Sequence, residues 1–285
     1  MKSRSQARKL YELYYAQNWL VMIEPKVTEL IDLCSTDEEK VLLFDLLKNF
    51  EFVDYGKFQT LLEMMAMRIC QELNLDVNTT QITTTAFDNE PDSSQMLLQT
   101  LKSKFPKLGF NKVRTRSKGM DTIKYIDECP TIVMVEEFSG TGNTIISRYN
   151  NLQQNAQSKL NQIGSDKELR IIVCLMVAMN RAAQKIRDAG IEVYVEKELC
   201  AGITQRYPEG EAEEKVVLMR SIEAKLDQEK MDAFPTLGYG SAEALYSLQN
   251  SNAPNNNFPV LWWRHLSDGS AFTPILDRQE PKYHD

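Results

Sequence analysis

The sequence predicts an α/β protein built on a parallel sheet, with a helical region over residues 1–75, the sheet core over 76–205 and a segment of different character over 206–285. Three observations carry this. Thr131–Val135 (TIVMV) and Arg170–Met179 (RIIVCLMVAM) are continuous apolar runs, the mark of strands buried on both faces. A long polar helix pattern, Ile145–Ile163, separates them. A second helix, Asn180–Ala189, is stopped by Gly190 and followed by Ile191–Glu196 (IEVYVE), so strand, helix, strand, helix and strand alternate at the spacing of right-handed crossovers.

The remaining elements follow in order. Gln6–Trp19 groups Leu10, Leu13, Tyr14 and Tyr15 at helical spacing, and Val27–Leu33 continues after Pro25. Ser35-Thr36-Asp37-Glu38 has the spacing of a capping box ahead of the apolar run VLLFDLL. Phe58–Leu73 sets Leu61, Leu62, Met65, Ile69 and Leu73 on one helical side. The β-branched run Gln81–Phe87 (QITTTAF) predicts a strand. A polar loop, Asp88–Gln95, then leads to a helix over Met96–Phe105 and a further strand over Phe110–Arg116. Past residue 200 come a polar loop at Tyr207–Glu214, a helix over Glu214–Lys225, and an ending rich in Gly, Asn, Pro and Trp. Its asparagines, broken by Pro254, read as turns.

Composition narrows the function classes. Hydrophobic residues at 42% and charged residues at 26% describe a folded globular chain. A net charge of −7 argues against strong intrinsic nucleic-acid binding, which calls for a basic field. Five scattered cysteines with no CxxC pair argue for reduced thiols in a cytoplasmic protein, against a disulfide framework and against a zinc site. Only His265 and His284 are present, which nearly excludes a histidine-based metal site or a catalytic triad. No secretory h-region and no apolar run of membrane length occurs, so the expectation is a soluble, cytoplasmic protein without a membrane partner.

The chemistry concentrates in Ile132–Thr144, IVMVEEFSGTGNT. Four apolar residues bury a strand. Glu136 and Glu137 follow at its carboxyl end, where open α/β sheets bind ligands. Ser139, Gly140, Thr141, Gly142, Asn143 and Thr144 form a short loop of small and hydroxyl residues leading into a helix. The glycines permit a tight turn and close backbone approach, and the unpaired N–H groups of a helix start favour a phosphate. A carboxylate accepts hydroxyl hydrogen bonds, so acids beside such a loop suit a vicinal diol. Diol plus phosphate describes a ribose 5-phosphate. A ligand-free strand-to-helix turn is the plainer alternative.

This run resembles the phosphoribosyl-pyrophosphate signature of the type I phosphoribosyltransferases: four hydrophobic residues, two acids, a hydrophobic residue, two variable positions and T-G-x-T, with Glu-Glu in place of the more usual Asp-Asp or Glu-Asp. The resemblance implies a Rossmann-like phosphoribosyltransferase core. Glu136 and Glu137 would hold the ribose hydroxyls and Ser139–Thr144 the 5-phosphate. Arg114, Arg116 and Lys118, before Gly119, are similar in position to the mobile basic loop of that family and would meet charge on the leaving group. The family's Gly-rich pyrophosphate loop is replaced by Asp88-Asn89-Glu90-Pro91-Asp92-Ser93-Ser94. Its carboxylates would repel pyrophosphate unless Mg²⁺, on Asp88 and Asp92, lay between them; otherwise another nucleotide is the ligand. Ser93 and Ser94 also suit a helix cap. The C-terminal segment would be the hood over the base, with Tyr239, Trp262 and Trp263 as flat faces and Asn255–Asn257, Asn256 among them, for base edges; core packing of the tryptophans is the alternative.

Over a wider span, DEEKVLLFDLLKNFEFVDYGKF, EEFSGTGNT and GYGSAEALY with APNNNFPVLWW resemble a phosphoribosyltransferase-like family of bacterial conflict and antiphage systems, some of them retron-associated. That resemblance implies an effector acting on phosphoribosyl pyrophosphate or a nucleotide, as a glycosyltransferase or nucleotide glycosidase, held in check by protein or ribonucleoprotein partners. Two other readings stand beside it: a nucleotide sensor without turnover, and a structural subunit docking through its helical front end.

Overall fold

A computed structural model describes residues 4–86, 93–230 and 234–279. Two compact units form, residues 55–199 and the pair of segments 1–54 and 200–285.

The sheet unit opens with α4 (Tyr55–Met67), which runs into a π-helical turn at Arg68–Glu72. Then come β2 (Thr80–Thr84), α5 (Ser93–Leu101), β3 (Arg114–Arg116), β4 (Thr131–Ser139), α6 (Asn143–Gln162), β5 (Arg170–Met179), α7 (Asn180–Asp188) and β6 (Glu192–Leu199), β1 being a strand of the other unit described below. The five strands pair in the order β3-β2-β4-β5-β6, all parallel. The period of two in a strand divides β4 between faces. Ile132 and Met134, with Ile171, Val173 and Leu175 of β5, pack under Ile145, Leu152, Ala156 and Leu160 of α6 and Ala183 and Ile186 of α7. Val133 and Val135 are equally buried and point to the other face, where α5 lies on β2 and β4 and α4 on β5 and β6. Both faces covered by helices is the reason these strands are apolar without alternation.

Several boundaries differ from expectation, three of them at strands β2, β3 and β4. β4 does not stop at Val135 but carries both acids and Phe138 as strand residues. β3 is three residues long, because Pro106 and Gly109 (φ 87°) turn the chain before Phe110 and delay the strand to Arg114. β2 ends at Thr84, and the last residue of the expected run, Phe87, lies outside the described residues.

The other unit joins α1 (Arg4–Ala16), α2 (Glu24–Asp32), α3 (Asp37–Lys48) and β1 (Glu51–Val53) to α8 (Glu209–Glu223) and β7 (Tyr246–Leu248). β1 and β7 pair in parallel. Leu13, Leu20, Leu30, Leu43, Leu47, Phe258 and Trp263 are central to its core. The cap of α3 sits one residue later than expected: Thr36 Oγ1 accepts the Glu39 N–H at 3.2 Å, and Glu39 Oε2 accepts the Ser35 N–H at 2.6 Å. Glu39 also accepts from Lys225 Nζ (2.9 Å) and Ser221 Oγ (2.8 Å), tying α3 to α8 and the residues just past it. Burial opposes its charge, but these donors outweigh burial and hold the carboxyl below its ordinary range. α8 begins at Glu209, earlier than the Glu214 expected, because Pro208 starts it and the acids read as loop suit a helix amino end.

Candidate functional site at the carboxyl ends of β2 and β4

β3 lies on one side of β2 and β4 on the other, so the strand order reverses between β2 and β4. Open α/β sheets bind ligands outside the carboxyl ends of the strands at such a point. Here that position holds Thr84 and Thr85 on one side and Glu136 to Thr144 on the other.

Both acids are buried, Glu136 9% and Glu137 5% exposed. As neighbours in a strand they point to opposite faces. Glu136 shares its face with Ile132 and Met134, the side of α6. Its Oε1 accepts the Glu137 N–H at 2.9 Å, and its Oε2 hydrogen-bonds the Thr85 hydroxyl across the strand boundary. The pair is therefore not a two-pronged clamp on one face.

Ser139 closes β4, is buried, and pairs in register with Ala178. Gly140 and Thr141 are partly exposed, and Asn143 and Thr144 lie exposed on the first turn of α6. Gly142 starts that helix at φ 77°, in the left-handed region. A Cβ there would stand 3.0 Å from Ala182 O and 3.1 Å from Ile186 Cγ1 on α7. Only glycine meets both demands, the torsion and the close approach. No side chain of its N-cap residue caps α6. Asn143 N–H lies 3.4 Å from Thr141 Oγ1, a long contact, and Asn143 Oδ1 accepts from Lys185 Nζ at 2.6 Å. The loop thus presents a helix start, with its partial positive charge, and a lysine beside it.

The three expected cations are placed differently from one another. Arg114 stands opposite Gln81, which stands opposite Ile132, four residues below Glu136, or about 13 Å along the strands. Arg116 is level with Met134, about 7 Å below. Both guanidinium groups stack on the Tyr125 ring, at 4.7 and 4.3 Å, and Arg114 pairs with Glu128 at 2.5 Å. Lys118 follows the strand, where Ser117 O accepts from Thr84 Oγ1 (2.6 Å) and Gly119 N–H donates to Ala86 O (3.0 Å). That wraps its backbone around the end of β2, level with the acids. Asp88 and Asp92, the expected Mg²⁺ ligands, lie outside the described residues; among the described residues no group of three His, Cys, Asp or Glu is arranged to hold a metal.

Tyr239, Asn256 and Trp262 belong to the other unit. Trp262 and Trp263 are in its core, 2% and 1% exposed, edge to face at 5.7 Å, with Nε1 donating to Asn257 O and Asp227 O, each at 3.0 Å. Asn256 Nδ2 donates to Tyr239 O at 3.0 Å, while Asn257, fully buried, bridges the Tyr246 N–H and carbonyl at 2.8 and 2.9 Å. These amides hold the 237–246 backbone. Tyr239 is the exposed ring of the set, at 50%.

Arg148, on the second turn of α6, was not singled out in the sequence. Its Nη1 donates to Thr85 Oγ1 at 3.2 Å. The available signal was its place four residues after Thr144, on the same helical face.

The protein is similar in structure to orotate phosphoribosyltransferase from Aeropyrum pernix, with a TM-score of 0.29 and 10% sequence identity over 50% of this chain and 71% of that one. No curated protein matches it. The model of the PRTase-CE family matches residues 34–278, spanning α3, the sheet unit with its β4–α6 loop and the Trp-rich ending, so the chain belongs to the PRTase-CE family and its parallel sheet is a phosphoribosyltransferase-like core.

Proposed function

We propose that the β4–α6 loop holds the phosphate of a ribose 5-phosphate group, in phosphoribosyl pyrophosphate or a nucleotide, and that the protein carries out glycosyl transfer or nucleotide cleavage at C1′. The observation that carries this is the position of Glu136 and the Gly142 helix start at the strand-order reversal of a sheet in a PRTase-CE chain. Backbone N–H groups at the start of α6 and the Thr141 and Thr144 hydroxyls suit the phosphate. Glu136 and Glu137 suit ribose hydroxyls and a cation-like C1′. Lys118 is the expected cation whose backbone is level with the acids, and it suits charge on the leaving group better than Arg114 or Arg116. If the leaving group is pyrophosphate, Mg²⁺ on Asp88 and Asp92 offsets the acids of segment 88–92.

That acidic segment also supports a second reading, in which the site senses a nucleotide without turnover. In either case the wider resemblance supports an effector or subunit of a bacterial antiphage system, with protein or ribonucleoprotein partners.

Isothermal titration with phosphoribosyl pyrophosphate and nucleoside 5′-monophosphates, with and without Mg²⁺, tests the site. The wild type is expected to bind, and Glu136→Ala/Glu137→Ala to lose at least about tenfold in affinity, the worth of one or two charged hydrogen bonds. Equal binding by the variant sinks the proposal. Mass spectrometry of the products separates enzyme from sensor.

A further inference from the structure

The hydrogen bonds behind Glu136 run in one direction. A guanidinium has donors and no acceptor. Arg148 Nη1 therefore donates to Thr85 Oγ1, at 3.2 Å. The single proton on that hydroxyl is then directed to its other partner, Glu136 Oε2. The remaining oxygen, Oε1, accepts a backbone N–H, that of Glu137. Thr85 is fully buried, so no solvent competes for its hydroxyl. Three elements meet here: α6 supplies Arg148, the end of β2 supplies Thr85, and β4 supplies Glu136.

A carboxylate bonded this way is an acceptor on both oxygens, and protonating Oε2 would set two donors against each other. We infer that Arg148 is a positioning residue which, through Thr85, holds Glu136 as an acceptor-only carboxylate and so makes the site select sugars that offer hydroxyl donors, a ribose over a deoxyribose. This rests on the reading that the site takes a ribose 5-phosphate. A site built to hydrogen-bond a hydroxyl rejects the analogue lacking it, because its own polar group is then left unpaired. Loss of Arg148 frees the Thr85 hydroxyl to rotate and bond elsewhere, which removes the preference.

The test compares ribose 5-phosphate, 2-deoxyribose 5-phosphate and inorganic phosphate by isothermal titration against the full-length wild type, Arg148→Met, Arg148→Lys and Thr85→Val, each checked for an unchanged melting curve. The wild type is expected to prefer ribose 5-phosphate by about tenfold or more. Arg148→Met and Thr85→Val are expected to bring that preference below about threefold with phosphate affinity unchanged, and Arg148→Lys to recover part of it. A preference retained in Arg148→Met overturns the inference. So does a parallel loss of all three ligands, which marks a purely structural role. Failure of the wild type to bind any of the three overturns the ribose-phosphate reading itself, and the inference falls with it.

Discussion

Glu223, on the last turn of α8, is fully buried, and its two carboxylate oxygens share one donor, the Leu237 N–H, at 3.2 Å each. Glu243, nearly as buried, receives the Ile203 and Thr204 N–H groups and the Thr204 hydroxyl, all at 2.8 Å. The contrast shows what a buried charge needs. Burial pushes the Glu223 carboxyl up to about 8, against the opposing effects of the Leu237 N–H and the Arg220 charge. In the unfolded chain it returns to the ordinary range near 4.5. Between those values the folded state keeps a proton that the unfolded chain has released, so stability falls as pH rises through the window and stays lowered above it. Below about pH 4.5 both states are protonated and the effect is absent. Urea unfolding of the wild type and Glu223→Gln should therefore diverge with pH. The wild type should lose on the order of a few kcal/mol relative to the variant between pH 5 and pH 8. Parallel curves would refute the buried proton. None of this was legible in the sequence, where Glu223 is one acid among several on a helix and nothing marks the residue whose backbone will cover it.

The strand-turn-helix element was legible. Four apolar residues before two acids, then small residues, read as a buried strand reaching a tight turn, and the structure has that order. Its details were not. The sequence cannot say that the strand continues through Ser139, and that continuation sends Glu136 and Glu137 to opposite faces. Nor can it pair Arg148 with Thr85, because the register of β2 on β4 is a tertiary fact. The same holds for the basic segment: its charges are plain in the sequence, but only the pairing of Arg114 with Gln81 shows how far from the acids it starts. Gly142 is where element and sequence meet most tightly. Gly142→Ala forces a left-handed torsion on a residue with a Cβ, and sets that Cβ 3.0 Å from the Ala182 carbonyl. Strain of this kind costs about 1–3 kcal/mol. Thermal unfolding should show a lowered midpoint, and the α6 start should shift from α7, weakening phosphate binding as well. A variant as stable as the wild type would mean that the turn tolerates another backbone path.

At the scale of the whole molecule, one unit is continuous in sequence and the other is not. Residues 1–54 and 200–285 share a core in which Leu13, Leu30 and Leu47 meet Phe258, Leu261 and Trp263. The sequence hid this because the pairing of β1 with β7 rests on three residues each, too short for a period to show. The sheet unit, 55–199, is an insertion between them. Among the described residues, cutting before Tyr55 and after Leu199 severs no strand pairing, since β1 pairs with β7 and all five strands of the main sheet lie within 55–199. Its sheet carries helices on both faces, and a chain on the order of 150 residues can bury enough surface to fold alone. Thr85, Lys118, Glu136, Glu137, Ser139–Thr144 and Arg148 all lie inside it. A 55–199 fragment should therefore unfold cooperatively in urea and keep its α/β circular dichroism. Its affinity for inorganic phosphate should stay within about threefold of the full chain, as expected of a site that a single compact unit builds. If the fragment folds but loses phosphate, residues outside 55–199 complete the loop site. If it fails to unfold cooperatively, the discontinuous unit is part of what makes the sheet stable, and the two are one folding unit despite their separate cores.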